Sequence, residues 1–209
     1  SRIVQDIAEG ASMQHYYDAP DDPIIDRAEQ SEETDLAFLQ KICKDAGLAL
    51  KVTNETIVVF DISKYENADP VMAITKGRDN IASFDCRMTI HNIYRACHVK
   101  YKNGSKGELI EYTFTDPHRE KGRTLEVNEK VESIDEAEKL AKKKLHEKNL
   151  EEVAVSISMM GDFALLASNT VMLKGFHVYD GKYLIMRSSH EIGSGYTSKI
   201  ELRRVIDGY

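Results

Sequence analysis

The stretch SSHEIGSGYTS, residues 188–198, sets His190 and Glu191 beside Gly193, Ser194 and Gly195. An acid–base pair next to a glycine turn suits the corner of an active site, and equally a strand ending in a β-hairpin. A zinc-protease helix needs HExxH, so that two histidines share one helical face. Position 194 is Ser, and the surroundings read as strand. A glycine-rich phosphate cradle needs a helix N-terminus after it, to aim amides and dipole at the anion. The residues after this turn are YTSKIELRR, where Tyr196, Ser198, Ile200 and Leu202 alternate with Thr197, Lys199, Glu201 and Arg203. That is a strand with one buried face. The expectation is a hairpin whose glycines take positive φ, with His190 on the packing or polar face of its strand.

Other candidates for chemistry lack the spacing that chemistry needs. A nucleophile elbow requires GxSxG, which neither GSG (193–195) nor MMGDF (159–163) supplies. The remaining histidines, 15, 91, 98, 118, 146 and 177, show no paired spacing for a metal. His91 and His98, seven apart on an expected strand, would lie on opposite faces. DAPDDPIID (18–26) gathers acids but lacks the glycine and terminal glutamate of a calcium loop. A glycosidase carboxylate pair is set by the fold, so spacing alone does not reveal one. No catalytic, cofactor-binding or metal-ligating residue is assigned from these motifs.

The elements that would position these residues fall into two groups. Residues 3–11 suit a short helix with Ile3, Ile7, Ala8 and Ala11 on one side, and Ile24–Ile25 begin a short strand toward Gln30. SEETDLAFLQKICKDAG (31–47) is the clearest helix. Ser31 or Thr34 caps it, acids at 32, 33 and 35 suit its positive end, and Gly47 provides a left-handed stop. Its stripe is Leu36, Leu39, Cys43 and Ala46, widened by Phe38 and Ile42. Strands 48–53 and 56–61 come next, joined through Asn54 and Glu55. The polar KYENADPV (64–71) marks the boundary, giving a small α+β unit over 1–69 and a β-rich domain over 70–209.

In the second group, residues 81–101 carry apolar residues at strand spacing, 102–107 form a turn, and 108–115 return as a strand. Residues 116–123 read as an exposed charged loop. A long amphipathic helix runs over 133–149 with Ser133 and Glu136 as a capping box and Ile134, Ala137, Leu140, Ala141 and Leu145 buried. Its lysines 142, 143, 144 and 148 suit the negative end and a solvated face. Later strands cover 152–158, 169–176, 181–192 and 196–206, with Asp180-Gly181 signalling a type I′ turn.

Composition bounds what such a chain does. Its 209 residues are 42% hydrophobic and 30% charged, ordinary for a folded protein and enough for one large or two small cores. No apolar run is long enough to span a membrane, and the first residues lack an apolar signal core. Cys43, Cys86 and Cys97 are odd in number and lack CxxC spacing, which fits reduced thiols in a reducing compartment, although Cys86 and Cys97 are placed to face each other on neighbouring strands. The net charge is −7. Residues 1–70 carry 15 acidic and 6 basic side chains, a net of −9, and 71–209 carry 20 and 22, a net of +2. Neither half supplies the basic footprint of a sequence-reading nucleic-acid protein.

Two stretches carry a family resemblance. AEQSEETDLAFLQKICKDAGLALKVTNETIVVFD (28–61) resembles the phage late control gene D protein family, in the form found in Gram-positive prophages and phage-tail-like bacteriocins. The family's D-x-x-F-L-x-x-[IL]-[CA]-x-x-x-G-L helix falls on Asp35, Phe38, Leu39, Ile42, Cys43, Gly47 and Leu48. GKYLIMRSSHEIGSGYTSKIELRRVIDGY (181–209) resembles the family's closing hairpin, and residues 133–149 and 171–183 fit between in the expected order.

The resemblance implies the baseplate hub of a contractile tail: an α+β chain whose small peripheral helix and hairpin unit precedes a tube-type, barrel-like antiparallel domain. Such hubs are homotrimers joining the tail tube protein to the central spike protein among other baseplate proteins. They assemble in the bacterial cytoplasm and end in the virion tail. No enzyme, cofactor, membrane insertion or sequence-specific nucleic acid is implied. The expected structural or assembly residues are Asp35, Phe38, Leu39, Gly47, Gly193, Gly195, Tyr196 and Arg203. Family members begin with a tube-forming domain, so this chain is expected to start after it. A hub-associated cell-wall hydrolase would need an added domain with paired carboxylates or a Cys/His set. A type VI-like spike or effector carrier would need a C-terminal β-helix of short repeats, whereas this chain stops at Gly208-Tyr209, which favours the phage-hub form.

Overall fold

The structure, a computed structural model, describes residues 1–19, 22, 25, 28–102 and 108–206. The chain divides into two compact units, Ser1–Asn67 and Ala68–Tyr209.

In the first unit, α1 (Arg2–Gly10) and α2 (Asp35–Ala46) pack on a three-stranded sheet of β1 (Gln14–Asp18), β2 (Ala49–Val52) and β3 (Thr56–Phe60), ordered β1-β3-β2. The core is Val4, Ala8, Leu39, Cys43, Ile57 and Val59. Local chemistry fixes both ends of α2. The Thr34 hydroxyl accepts a hydrogen bond from the Ala37 amide, satisfying one of the donors a helix start leaves unpaired. Gly47 sits at φ 77, and the Leu48 amide turns back onto the Cys43 carbonyl at 2.7 Å. A short helix α3 (Ile62–Asn67) closes the unit.

The second unit is built on a six-stranded sheet that curls into a half-barrel around its own side chains. Its strands are β4 (Met72–Thr75), β5 (Ile81–Met88), β9 (Val153–Met160), β10 (Thr170–Lys174), β11 (Gly181–Ile192) and β12 (Tyr196–Arg204), in the order β4-β10-β11-β12-β9-β5. All neighbours are antiparallel except β4 and β10. Alternation places Val153, Val155, Ile157 and Met159 of β9 inward, facing Ile200 and Leu202 of β12 and Tyr183 and Ile185 of β11. Between β5 and β9 the chain builds a second layer: β6 (Tyr94–Lys102), β7 (Leu109–Thr115) and β8 (Arg123–Val127), ordered β7-β6-β8 and covered by α4 (Ile134–Asn149). This α+β architecture, with its helix-covered insertion and curled sheet, is the expected class.

Several local expectations are corrected. No strand starts at Ile25 or covers 28–30, and Ile24 lies outside the described residues; strand β1 instead recruits the tyrosines before it, parallel to β3. Residues 81–101 are two strands in different sheets, so His91 falls in the turn between them while His98 is on β6. Cys86 is exposed on β5 and Cys97 buried on β6, and they do not face each other; both are free thiols. Asp116, assigned to an exposed loop, is buried and paired with Arg119, and the loop runs into the unexpected strand β8. The turn expected over 102–107 lies outside the described residues at 103–107. Leu36, Ile134 and Ala11 are exposed, because the cores take the neighbouring stripes. In the α4 cap, Ser133 accepts from the Glu136 amide as expected, but the Glu136 carboxylate accepts from the Glu132 amide one residue earlier. The β10–β11 hairpin forms, yet its loop is a 3-10 turn (His177–Tyr179), with Asp180 at φ −62 rather than in a type I′ turn. Asp180 instead accepts hydrogen bonds from the Gly175 and Phe176 amides.

The three thiols give a direct check. Burial raises the Cys43 thiol and pushes Cys97 up to about 11, which withholds the reactive thiolate. A thiol reagent at neutral pH is expected to titrate one group, Cys86, at once and the other two only on unfolding. Three fast groups would contradict this packing.

Candidate functional site

The β11–β12 hairpin exists, with Ile192 opposite Tyr196 and His190 opposite Ser198. Its three-residue loop is held by a hydrogen bond from the Gly193 amide to the Gly195 carbonyl at 2.9 Å. Neither glycine lies in the left-handed region, which corrects the expectation of positive φ; both positions are open to solvent and a side chain there would touch nothing.

His190 is the centre of a hydrogen-bonded cluster on the inward face. Its Nε2 lies 3.1 Å from the Leu165 carbonyl and 2.7 Å from Ser188 Oγ. A carbonyl only accepts, so Nε2 carries the hydrogen and Nδ1 is the acceptor. Nδ1 lies 2.8 Å from the Tyr196 hydroxyl and 3.0 Å from Ser198 Oγ, and Ser198 Oγ also accepts from the Asp162 amide. The Ser188 hydroxyl donates to the same Leu165 carbonyl. A nucleophile–base pair needs a bare imidazole nitrogen facing the serine. Here the nitrogen facing Ser188 is the protonated one. Glu191, the neighbour that suggested an acid–base pair, is exposed and pairs with Thr197 on the opposite face. The bare Nδ1 does face a serine, Ser198, but that hydroxyl is fully buried and accepts from the Asp162 amide, so the cluster ties the 161–165 turn to the hairpin.

Tyr196 is the piece this cluster positions. Its ring lies flat on Gly161, where a Cβ would come within 2.2 Å of ring carbons. The Gly161 amide also donates to the Tyr196 carbonyl at 2.8 Å. Phe163 packs against the ring tilted by 32° with centroids 4.8 Å apart, and the His190 ring lies at 5.8 Å. Phe163 is 73% exposed, and Ile192, opposite Tyr196 in the hairpin, 75%. The hairpin end of the sheet thus exposes Phe163 and Ile192 to solvent. Gly161→Ala is expected to expel the Tyr196 ring and cost about 1–3 kcal/mol, as overpacking does. Tyrosine fluorescence and a urea titration read this, and an unchanged midpoint would count against the packing described.

The other expected site residues belong to other elements. Asp35 opens α2 and accepts from Gln30 Nε2 at 2.7 Å; Phe38 and Leu39 are buried beneath the same helix, and Gly47 ends it. Arg203 is buried on the face of β12 opposite the core, facing Leu184 and Ala154. Gly161, Phe163, Leu165 and Ser188 were not foreseen. One signal was available: the alternation puts Ser198 on an apolar inward face, where a hydroxyl must find a partner. Among the described residues no group of three or more His, Cys, Asp or Glu could hold a metal ion, and no helix is long and apolar enough to cross a membrane.

The architecture has counterparts of known structure. A tail protein from Neisseria meningitidis MC58 superposes with a TM-score of 0.71 over 97% of this chain, at 18% identity. The 43 kDa tail protein of prophage MuSo2 from Shewanella oneidensis gives 0.74 over 97%, at 15% identity. The fold is that of phage tail proteins. The tail-protein fold extends to an Escherichia coli type VI secretion component, described as similar to the T4 tail proteins gp27 and gp5, at a TM-score of 0.56 and 11% identity over 99% of this chain and 50% of that one. The chain spans 66% of the Neisseria protein and 62% of the Shewanella one. No protein-family model matches the sequence, and neither does any curated protein.

Proposed function

We propose that this chain is a structural component of a contractile phage tail or tail-like particle: a baseplate hub of the late control gene D kind, joining the tail tube to the central spike. The observation that carries the reading is the fit of 97% of the chain, helical unit and curled sheet in one order, to two tail proteins. The motif Asp35, Phe38, Leu39, Ile42, Cys43, Gly47 and the closing hairpin with Tyr196 support the hub form and its Gram-positive prophage variant. Its partners are other copies of itself in a homotrimer, the tube protein and the spike protein, met in the bacterial cytoplasm during assembly. In this reading 1–69 is the peripheral unit and 70–209 the tube-type domain. The full burial of Ser198 against His190 Nδ1 supports a positioning role rather than hydrolysis.

The test is particle composition. Tails purified from the producing cells should carry the chain in a few copies at the junction of tube and spike, located by labelled electron microscopy. A chain spread along the tube, or absent from finished particles, would overturn the hub reading. The likeness to the type VI component favours a second reading, as part of a contractile secretion apparatus. It predicts co-purification with a secretion sheath in cells that carry no inducible prophage.

A further inference from the structure

The outermost strand of a sheet presents a row of backbone amides and carbonyls that a further strand can pair with. Folded chains blunt such edges by keeping them short, by a bulge, by charges on the strand or by proline. Among the described residues of the second unit, three of the four edge strands are blunted in these ways. β4 has four residues. β5 is broken by a register shift between Ile81 and Ser83 and carries Asp85 and Arg87. β8 has five residues, Arg123 and Glu126 among them, and its pairing with β6 shifts between Tyr94 and Ala96.

The edge of β7 has none of these guards. Among the described residues it pairs only with β6, in unbroken register over all seven residues, Leu109–Thr115. Its sequence LIEYTFT has no proline and no lysine, and it is dominated by β-branched and aromatic residues. The one charge, Glu111, is drawn away from the edge to Lys100 of β6 at 2.9 Å. Thr113 likewise bonds His98 Nδ1 across the pair at 2.8 Å.

The two faces beside this edge define what an added strand must carry. Such a strand lies about 4.8 Å out and continues the side-chain alternation of β7. On one face Ile110, Tyr112 and Phe114 are only half-buried under α4. There the Tyr112 hydroxyl donates to Glu138, while Lys142 pairs with Glu138 at 2.8 Å and stands over the Phe114 ring at 5.3 Å. Apolar side chains on the added strand would cover those rings. On the other face Glu111, Thr113 and Thr115 are exposed, where hydroxyl-bearing neighbours fit. Lys100–Glu111 and Lys142–Glu138 are both closed pairs, so this stretch of the edge offers no net charge for a charged segment to answer.

We propose that the free edge of β7 is a strand-addition site. Its occupant is an uncharged, extended segment of a partner protein, with apolar residues at every second position and serine or threonine between. Main-chain hydrogen bonds supply the affinity, and the Tyr112–Phe114 face beside α4 fixes which side chains point inward. The inference stands on the edge itself and is independent of the hub reading.

Hydrogen exchange on the full chain, resolved by residue, tests it with a synthetic peptide of alternating valine and threonine. The outward amides of β7 should exchange rapidly in the chain alone, and slow about tenfold when the peptide is at about ten times its Kd. The amides of β4, β5 and β8 should not respond. Methylating every second amide of the peptide should preserve the effect in one phase and abolish it in the other, because a strand shows alternate amides to each side. Thr113→Lys and Thr115→Lys, each setting a lysine at an exposed edge position, should weaken it, and Thr124→Lys on β8 should not. Protection of β7 without peptide at every chain concentration would mean that the chain itself covers the edge, and the proposal fails. Protection that grows with chain concentration would mean that a second copy occupies it, and the proposal fails again. Equal protection of β5 or β8 by the peptide, no protection anywhere, or an undiminished effect in both lysine variants also overturns it.

Discussion

Leu39→Asp should unfold the amino-terminal unit. Leu39 is 1% exposed and sits where α2 meets α1 and the sheet, with Cys43 one turn on and Ile57 and Val59 facing it. Truncating such a leucine to Ala costs about 2–5 kcal/mol through lost burial and the cavity left behind. A carboxylate there adds a desolvation penalty, because no cation lies in that apolar cluster to pair with it. A total of roughly 5 kcal/mol or more rivals the whole stability of a small domain. Hydrogen exchange on the full chain should show protection lost at the amides of α2 and β3. Leu36→Asp, one turn back on the exposed face of the same helix, should be nearly silent. Protection retained in Leu39→Asp, or equal damage from Leu36→Asp, would refute the assignment of the buried stripe.

That contrast also shows what a sequence can disclose. The helical period identified α2 correctly, because Thr34, Gly47 and the spacing of Leu39 and Cys43 are local facts. It could not choose between Leu36 and Phe38 for the second row of the stripe. Which of two adjacent rows is buried depends on how the sheet below is angled, and that is decided by contacts distant in sequence. The same limit explains β5 and β6. Their apolar alternation is continuous enough to read as one stretch, yet the chain turns at His91 and sends them into different sheets. For the hairpin end, alternation placed Tyr196 and Ser198 on the inward face. Gly161 and Leu165 were invisible, because a backbone that receives a ring and a carbonyl that receives an imidazole leave no mark on residue spacing. The Asp180-Gly181 pair misled for a related reason: Asp180 commits its carboxylate to the Gly175 and Phe176 amides, which selects a wider loop.

Asn149→Ala is expected to be the most damaging small substitution in the second unit. Asn149 is the last residue of α4 and is fully buried, an unusual setting for an amide side chain. Its Oδ1 accepts from the Tyr94 amide and its Nδ2 donates to the Tyr94 carbonyl, both at 2.9 Å. The side chain thus reproduces the two-way exchange of an antiparallel strand pair at the first residue of β6. It fastens the helix end to the sheet that the helix covers. Removing it strands a backbone donor and a backbone acceptor together, at about 1–3 kcal/mol each, for a combined loss of roughly 2–6 kcal/mol. Asn149→Asp should cost nearly as much, since a carboxylate cannot donate to the Tyr94 carbonyl and brings a charge into the site. Tyr94→Phe keeps both backbone bonds and should cost less than about 1 kcal/mol, within the range of substitutions that leave backbone hydrogen bonds intact. The ordering in urea titrations, Asn149→Ala and Asn149→Asp far below Tyr94→Phe, is the signature of an amide acting as a strand partner. If Asn149→Ala proves as mild as Tyr94→Phe, α4 is held by the apolar contacts of Ala137, Ala141 and Leu145 alone.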